Sequence, residues 1–372
     1  MSEYRAAHYW AAFANLHQVV CRSYVLRYNE WAFLNDWPSV WAIRHTPATS
    51  SFVGGLTGLA LNDEAGTIAL FKRSLRLDPT YSYAYHYQGL AYEYAGDDKD
   101  ALQLYEQALR VNPRSGRTIA NIAGILNRVG RWSDAVQLYT QAIAVGQGDA
   151  LSYIGRASAY GALIDWPAAA ADYRTTMKTD PADYQAFEGY GQAQRHLGHT
   201  SAAITADTHA ITLYPLDAYA YTERGRAKWD SNDDRGAMAD YNKALSIDPT
   251  DARAYAYRGA ERDFAGDHKT ALVDYNKAIL YDPQNSDARS GRCLLQYHAG
   301  HYRTAIPDCT AAIAVDPQFA APYETRGLNY LMLKDRRAIP DLQKAHDLYS
   351  QQGDKDGASR TAQELATARA TM

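Results

Sequence analysis

The chain has 372 residues, of which 47% are hydrophobic and 22% charged, with a formal net charge of −4. This balance is ordinary for a globular protein and offers no basic surplus for general nucleic-acid binding. No apolar run of about 18 residues occurs, and the chain does not open on a basic start, an apolar run and a small-residue cleavage site. Neither membrane insertion nor secretion is therefore expected, and the expected location is cytoplasmic.

Residues 1–47 are the least regular stretch and hold Trp10, Trp31, Trp37 and Trp41. Ala6–Val20 spaces its apolar residues by three and four, as a helix does. Asn35-Asp36-Trp37-Pro38 echoes Ile164-Asp165-Trp166-Pro167, and setting Trp37 on Trp166 brings Tyr24 and Arg27 onto Tyr153 and Arg156. Residues 1–47 are thus expected to be an N-terminal Trp-rich helical cap, with 21–47 a degenerate repeat. The alternative is a docking segment for a partner.

From Ala48 onward the chain repeats itself every 34 residues, with units starting near 48, 82, 116, 150, 184, 218, 252, 286 and 320. Prolines close the units at Pro79, Pro113, Pro181, Pro215, Pro249, Pro283 and Pro317, and Gln147 keeps the register at the one skipped step. Gly96, Gly130, Gly198, Gly266 and Gly300 share the inner-turn column, with Asn62 and Asn232 in two other units. These residues accept the left-handed conformation that ends a helix. Ser115, Asp149, Asp183, Asp217, Asp251 and Asn285 stand where a side chain can cap the following helix. Each unit therefore reads as two short helices, punctuated in the middle and at both ends.

The packing columns keep the same period. Gly89, Ala123, Ala157, Gly191, Gly225, Gly259 and Gly327 form a small column on the first helix. Alanine columns run through Ala101 to Ala305 and Ala108 to Ala312 on the second, beside Tyr105, Tyr139, Tyr173, Tyr241 and Tyr275. The 30 tyrosines against 7 phenylalanines are thus read as packing residues. In the last full unit Ala338, Leu342 and Ala345 come one residue early, which implies a deletion near its turn. Residues 351–372 are expected to form a C-terminal capping helix.

The period, the small and alanine columns, the aromatics and the closing Asp-Pro resemble tetratricopeptide repeats over residues 48–350. The resemblance implies an all-α, right-handed superhelical solenoid of stacked antiparallel helix pairs, about nine repeats long, with first helices lining a concave groove. Arg156, Arg224, Arg258, Arg292 and Arg326 replace the leucine usual in the family. Asp172, Asp240, Asp274 and Asp308 follow the first four at sixteen residues, and Asp341 follows Arg326 at fifteen. Units without the arginine also lack the aspartate, so the two columns are expected to touch as ion pairs.

No phosphate-binding loop, HExxH or GxSxG motif occurs, so the chain is not expected to be an enzyme or to hold a cofactor or metal. Cys21, Cys293 and Cys309 lack CxxC spacing and are expected to be buried thiols. The candidate partner-binding residues are the variable positions of the first helices. They comprise Tyr83, His86, Tyr87, Arg117, Asn121 and Arg128, then Glu188, Gln192 and Arg195, then Tyr219, Glu223 and Arg226, and finally Arg253 and Tyr257. Gln185, Asp230 and Asp263 belong to the same face. Tyr and Arg are the strongest anchors among them.

The family's carboxylate clamp is not matched, because Asn121 is flanked by His86 and Leu90 before it and Leu151 and Gly155 after it. An asparagine ladder is absent too. The expected function is a non-catalytic scaffold that binds a peptide or protein partner in the groove. The alternatives are a self-associating assembly protein using residues 1–47, or a regulatory subunit of an enzyme or secretion machine.

Overall fold

The computed structural model describes residues 47–60, 64–145 and 150–371. The cap and docking readings of residues 1–46, with Cys21 and the four tryptophans there, lie outside the described residues, as do Asn62, Gln147 and Asp149. The described residues form nineteen α-helices and no strand. They belong to two compact units, the first ending at Thr179 and the second starting at Asp180.

The first unit contains α1 (Pro47–Ala60), α2 (Glu64–Leu77), α3 (Ser82–Tyr94), α4 (Asp98–Val111), α5 (Gly116–Arg128), α6 (Trp132–Ala144), α7 (Ala150–Ala162) and α8 (Trp166–Thr179). The second contains α9 (Tyr184–His196), α10 (Thr200–Leu213), α11 (Ala218–Asp230), α12 (Asp234–Ile247), α13 (Ala252–Phe264), α14 (His268–Tyr281), α15 (Ser286–His298), α16 (Tyr302–Val315), α17 (Ala320–Met332), α18 (Ala338–Gln352) and α19 (Lys355–Thr371). Helices pack as consecutive pairs, α1 with α2 through α17 with α18, and α19 lies on α18. In the second unit each first helix also touches the next one, from α9 on α11 through α15 on α17. The second helices lie mainly against the first helices that flank them. Within the second unit the first helices therefore make the inner side of the stack.

The punctuation read from the sequence is realised. Gly96, Gly130, Gly198, Gly266 and Gly300 have positive φ, as does Asn232. Ile164 (φ 63°) and Lys334 (φ 57°) occupy the same column and adopt the same conformation without being glycine or asparagine. The turn is thus imposed by the helices on either side, at a cost of about 1–2 kcal/mol at Ile164. Ser115, Asp183, Asp217, Asp251 and Asn285 each accept a backbone N–H of the following first turn.

Between the helices of a pair, the tyrosine ring enters against a residue that has no side chain. A Cβ on Gly225 would stand 2.7 Å from Tyr241 Cε1, and one on Gly89 would stand 2.7 Å from Tyr105 Cε1. The ring tips also press on the next first helix, where Gly155 leaves room for Tyr139 and Gly291 for Tyr275. Cys293 and Cys309 occupy this glycine–tyrosine pair of columns, and here the sequence expectation is corrected. They are fully buried as expected. They are not free thiols, however, but a disulfide with Cα atoms 5.6 Å apart. The columns that bring ring against glycine bring sulfur against sulfur.

All five arginine–aspartate pairs form, each as a fork. Arg224 Nε donates to Asp240 Oδ2 at 2.8 Å and its Nη2 to Oδ1 at 2.7 Å. Arg156–Asp172, Arg258–Asp274, Arg292–Asp308 and Arg326–Asp341 repeat the geometry. The third nitrogen reaches back to the preceding second helix. Nη1 donates to Thr140, Thr208, Asn242, Asn276 and Thr310 in turn, at 2.6 to 3.2 Å. That column was not read from the sequence. Tyr153, Tyr221, Tyr255 and Tyr323, three residues before four of these arginines, hold the guanidinium at 5.3 to 5.8 Å from the ring centroid. Each arginine therefore clamps its own pair and the one before it. In a double-mutant cycle, Arg224→Ala and Asp240→Ala are expected to show a coupling of about 1–3 kcal/mol in urea melts. Additive losses would refute the clamp.

Candidate functional site

In the first unit the candidate residues are mostly committed to internal bonds. Tyr87, 2% exposed, packs with Phe52, Leu56, Phe71 and Ala84. His86 is buried with Nδ1 3.0 Å from Thr118 Oγ1, and burial, aided by Arg117, lowers its pKa to about 3. Both are core residues rather than groove residues, because the helix turns them toward its neighbours. Asn121 donates to Tyr105 Oη at 3.0 Å. Arg128 bridges Glu93 at 2.8 Å and Asp98 at 2.6 Å. Arg117 is half-buried, and Tyr83 remains exposed beside Tyr81.

The second unit brings its candidates together. Glu188, Gln192 and Arg195 lie on α9, Tyr219, Glu223 and Arg226 on α11, and Arg253 and Tyr257 on α13. Arg226 lies 4.3 Å from the centroid of Tyr257, and Arg253 lies 4.4 Å from that of Tyr219. Arg195 makes only loose ion pairs, at 3.9 Å to Glu223 and 3.6 Å to Asp230. Asp263 instead pairs with His268 Nδ1 at 2.6 Å, and Gln185 is exposed.

Beneath these arginines and tyrosines lies a set of carboxyls. The main residue missed by sequence reasoning is Asp207 on α10, which stands in the tyrosine column, sits against Gly191 and is 1% exposed. One helix further on, Glu223 stands where Gly155 and Gly291 make room for a ring. With no ring arriving from position 207, the space holds two carboxyls instead. That double exchange, aspartate for tyrosine and glutamate for glycine, is a signal the sequence carried.

Burial is the first cause that raises Asp207 well above the usual carboxylate range, with Glu223 adding to it. Glu223 is raised by burial as well, against the pull of Arg195, Arg253 and Arg226. Glu188 is pushed up to about 10 by burial, by its hydrogen bond to Asp217, and by the charges of Asp217, Asp207 and Asp183. Several polar atoms here are buried without a hydrogen-bond partner among the described residues: Glu188 Oε1, Asp207 Oδ1, Arg195 Nε and Arg226 Nε. Buried polar groups are nearly always satisfied, and leaving one unpaired costs about 1–3 kcal/mol. A site with unmet donors and acceptors on its inner face can take a polar ligand. Among the described residues no cluster of three His, Cys, Asp or Glu side chains could hold a metal ion. No described helix is long and apolar enough to cross a membrane.

Models of the tetratricopeptide repeat match residues 82–115, 118–151 and 218–251. No curated protein sequence matches the chain. Among solved structures, a tetratricopeptide repeat protein from Parabacteroides merdae is 18% identical, with a TM-score of 0.58 over 67% of this chain and 98% of its own. The Cut9–Hcn1 hetero-tetramer of the APC/C is 14% identical, with a TM-score of 0.58 over 78% of this chain and 57% of the matched chain. PilW, a type IV pilus biogenesis factor, is 14% identical, with a TM-score of 0.52 over 57% of this chain and 98% of its own. At these identities the likeness is one of fold.

The raised Glu188 makes a pH prediction. Its native pKa lies above its unfolded value, so it stabilises fully below about pH 4.5 and loses that contribution as pH rises toward about 10. Glu188→Gln keeps a hydrogen-bond donor and removes the titration. Between pH 6 and 8 the wild type should lose on the order of 1–3 kcal/mol relative to this variant in urea melts. Parallel stability curves would contradict the assignment.

Proposed function

Since this chain is a tetratricopeptide-repeat protein, we propose that it works as a non-catalytic scaffold holding a peptide or protein partner on its first-helix face. In this reading residues 48–350 carry about nine repeats and residues 351–372 close the array. The contact is centred on α9, α11 and α13. The observation that supports this placement is the concentration of buried polar atoms without hydrogen-bond partners around Glu188, Arg195, Asp207 and Arg226. The Arg226–Tyr257 and Arg253–Tyr219 stacks lie beside them, of the residue types that dominate binding energy. The first unit supplies less, because Arg128 and Asn121 already hold internal bonds.

Quantitative affinity capture from the native cell tests the placement. Partners retained by the wild type should fall tenfold or more with a Tyr219→Ala, Tyr257→Ala double substitution, and less than twofold with Arg128→Ala. Equal retention by all three proteins would move the contact away from this face.

The Cys293–Cys309 bond opposes a cytoplasmic setting, because such bonds persist mainly in oxidising compartments. In protein alkylated directly from native cells and then denatured, Cys293 and Cys309 should label only after reduction. Labelling of both before reduction would restore the cytoplasmic reading.

A further inference from the structure

Within the groove site, one corner differs in kind from the rest. Glu188 on α9 shares a hydrogen bond with Asp217, the residue that caps α11, and the charges acting on Glu188 come from Asp217, Asp207 and Asp183. All three are carboxyls. The arginines of the site act elsewhere: Arg195, Arg253 and Arg226 on Glu223, with Arg226 and Arg253 stacked on Tyr257 and Tyr219. Glu188 is 8% exposed and its Oε1 has no partner, and Asp207 is more deeply buried with Oδ1 equally unmet.

The walls of this corner are aromatic. Tyr184 packs against Tyr214 with ring centroids 5.1 Å apart and planes tilted by 40°, and Tyr184 senses the charges of both Glu188 and Asp217. Tyr219, from the first turn of α11, senses Glu188 as well. Carboxyls flanked by tyrosine faces make an environment for a cation, which gains charge pairing from the first and attraction to the ring quadrupole from the second. An anionic group would meet three carboxyls there.

We propose that the Glu188–Asp217 corner, walled by Tyr184, Tyr214 and Tyr219, is a subsite for a basic side chain, the lysine ammonium or arginine guanidinium of a bound peptide. The proposal rests on the groove reading above and names what that groove selects. At neutral pH in the free protein Glu188 carries the proton it shares with Asp217. When the cation arrives, the Glu188 O–H bond breaks, the proton goes to solvent, and the resulting carboxylate pairs with the ligand. Binding therefore releases about one proton and strengthens as pH rises, up to about tenfold per pH unit. The groups facing Glu188 are Asp183 and Tyr184 from its own helix and cap, Asp207 from α10, and Asp217 and Tyr219 from the α11 end. Arg253, held over the Tyr219 ring, is a cation beside this corner and acts against the direction, while the carboxyls that act on Glu188 itself favour it.

A random decapeptide library displayed on phage, panned against the full chain, supplies the probe. Wild-type selections should enrich lysine or arginine, and Glu188→Gln selections should not. For the enriched peptide, replacing the basic residue by norleucine should weaken binding tenfold or more with wild type and less than twofold with Glu188→Gln. Calorimetry in phosphate and in Tris should report about one proton released by wild type alone, which attraction to a general acidic surface would not produce. Asp217→Asn, which keeps a capping side chain, should lose the basic preference too. Enriched peptides without a basic residue would overturn the subsite and leave the groove reading standing. The same holds if the basic preference survives in Glu188→Gln. No enrichment by a folded wild-type chain would overturn both.

Discussion

The fit of a tyrosine ring against a residue that lacks a side chain governs this molecule. Tyr105 against Gly89, Tyr241 against Gly225 and Tyr275 against Gly259 set how closely two helices of a pair approach. Tyr275 also sets how the next pair docks, since it needs Gly291 beyond it, as Tyr139 needs Gly155. A ring that touches both its own pair and the following one makes stacking and pairing a single event. In a repeat array, where stability is close to a sum over neighbours, such a residue transmits order along the chain. The departures from this fit are then the informative places. Cysteine in both columns gives the Cys293–Cys309 bond, and aspartate in the ring column gives the buried carboxyls at 207 and 223.

Among the described residues, two groups of arginines differ in a way that composition cannot show. Arg156, Arg224, Arg258, Arg292 and Arg326 spend their donors on one carboxylate and one preceding side chain, with exposures of 13 to 22%. They gain little net stability over apolar isosteres, but they fix register, because a fork cannot be satisfied one residue out of step. The slipped register of the last pair shows this constraint at work: Asp341 has moved one residue closer in sequence and still receives both bonds of Arg326. Arg195 and Arg226 retain an Nε without an acceptor. The same residue type has its donors used where its fork is closed and keeps an unmet donor where it is open.

The period, the caps, the glycine turns and the arginine–aspartate pairs were legible because each is a local rule written several times over. Repetition turns a weak single-residue preference into a column, and two columns that change together reveal a contact. Failures came where a residue acts alone. Ile164 and Lys334 take the left-handed turn with no sequence mark of it, because the helices on both sides impose it. His86 and Tyr87 look like variable groove positions, yet the helix rotates them into the contact with Thr118 and Phe52. Asp207 stands alone in a column of rings, one residue past Ala206 in the aspartate column, so no second copy marks it as a substitute for tyrosine.

Why an array should tolerate a cluster of uncomfortable carboxyls follows from its one-dimensional energetics. A buried group that must hold its proton costs free energy locally, and in a compact domain with a single core that cost would weaken the whole cooperative unit. Here the cost falls on the α9–α12 pairs. The pairs on the far side, α13 with α14 through α17 with α18, each keep their own fork, and between their helices stand Tyr275 against Gly259, the Cys293–Cys309 disulfide and Leu342 against Gly327 in turn. Nearest-neighbour coupling confines the strain to that segment while the flanking pairs hold its helices in place. A ligand that satisfies the carboxyls would then add stability at the segment that carries this cost, because whatever binds the folded chain alone shifts the balance toward it.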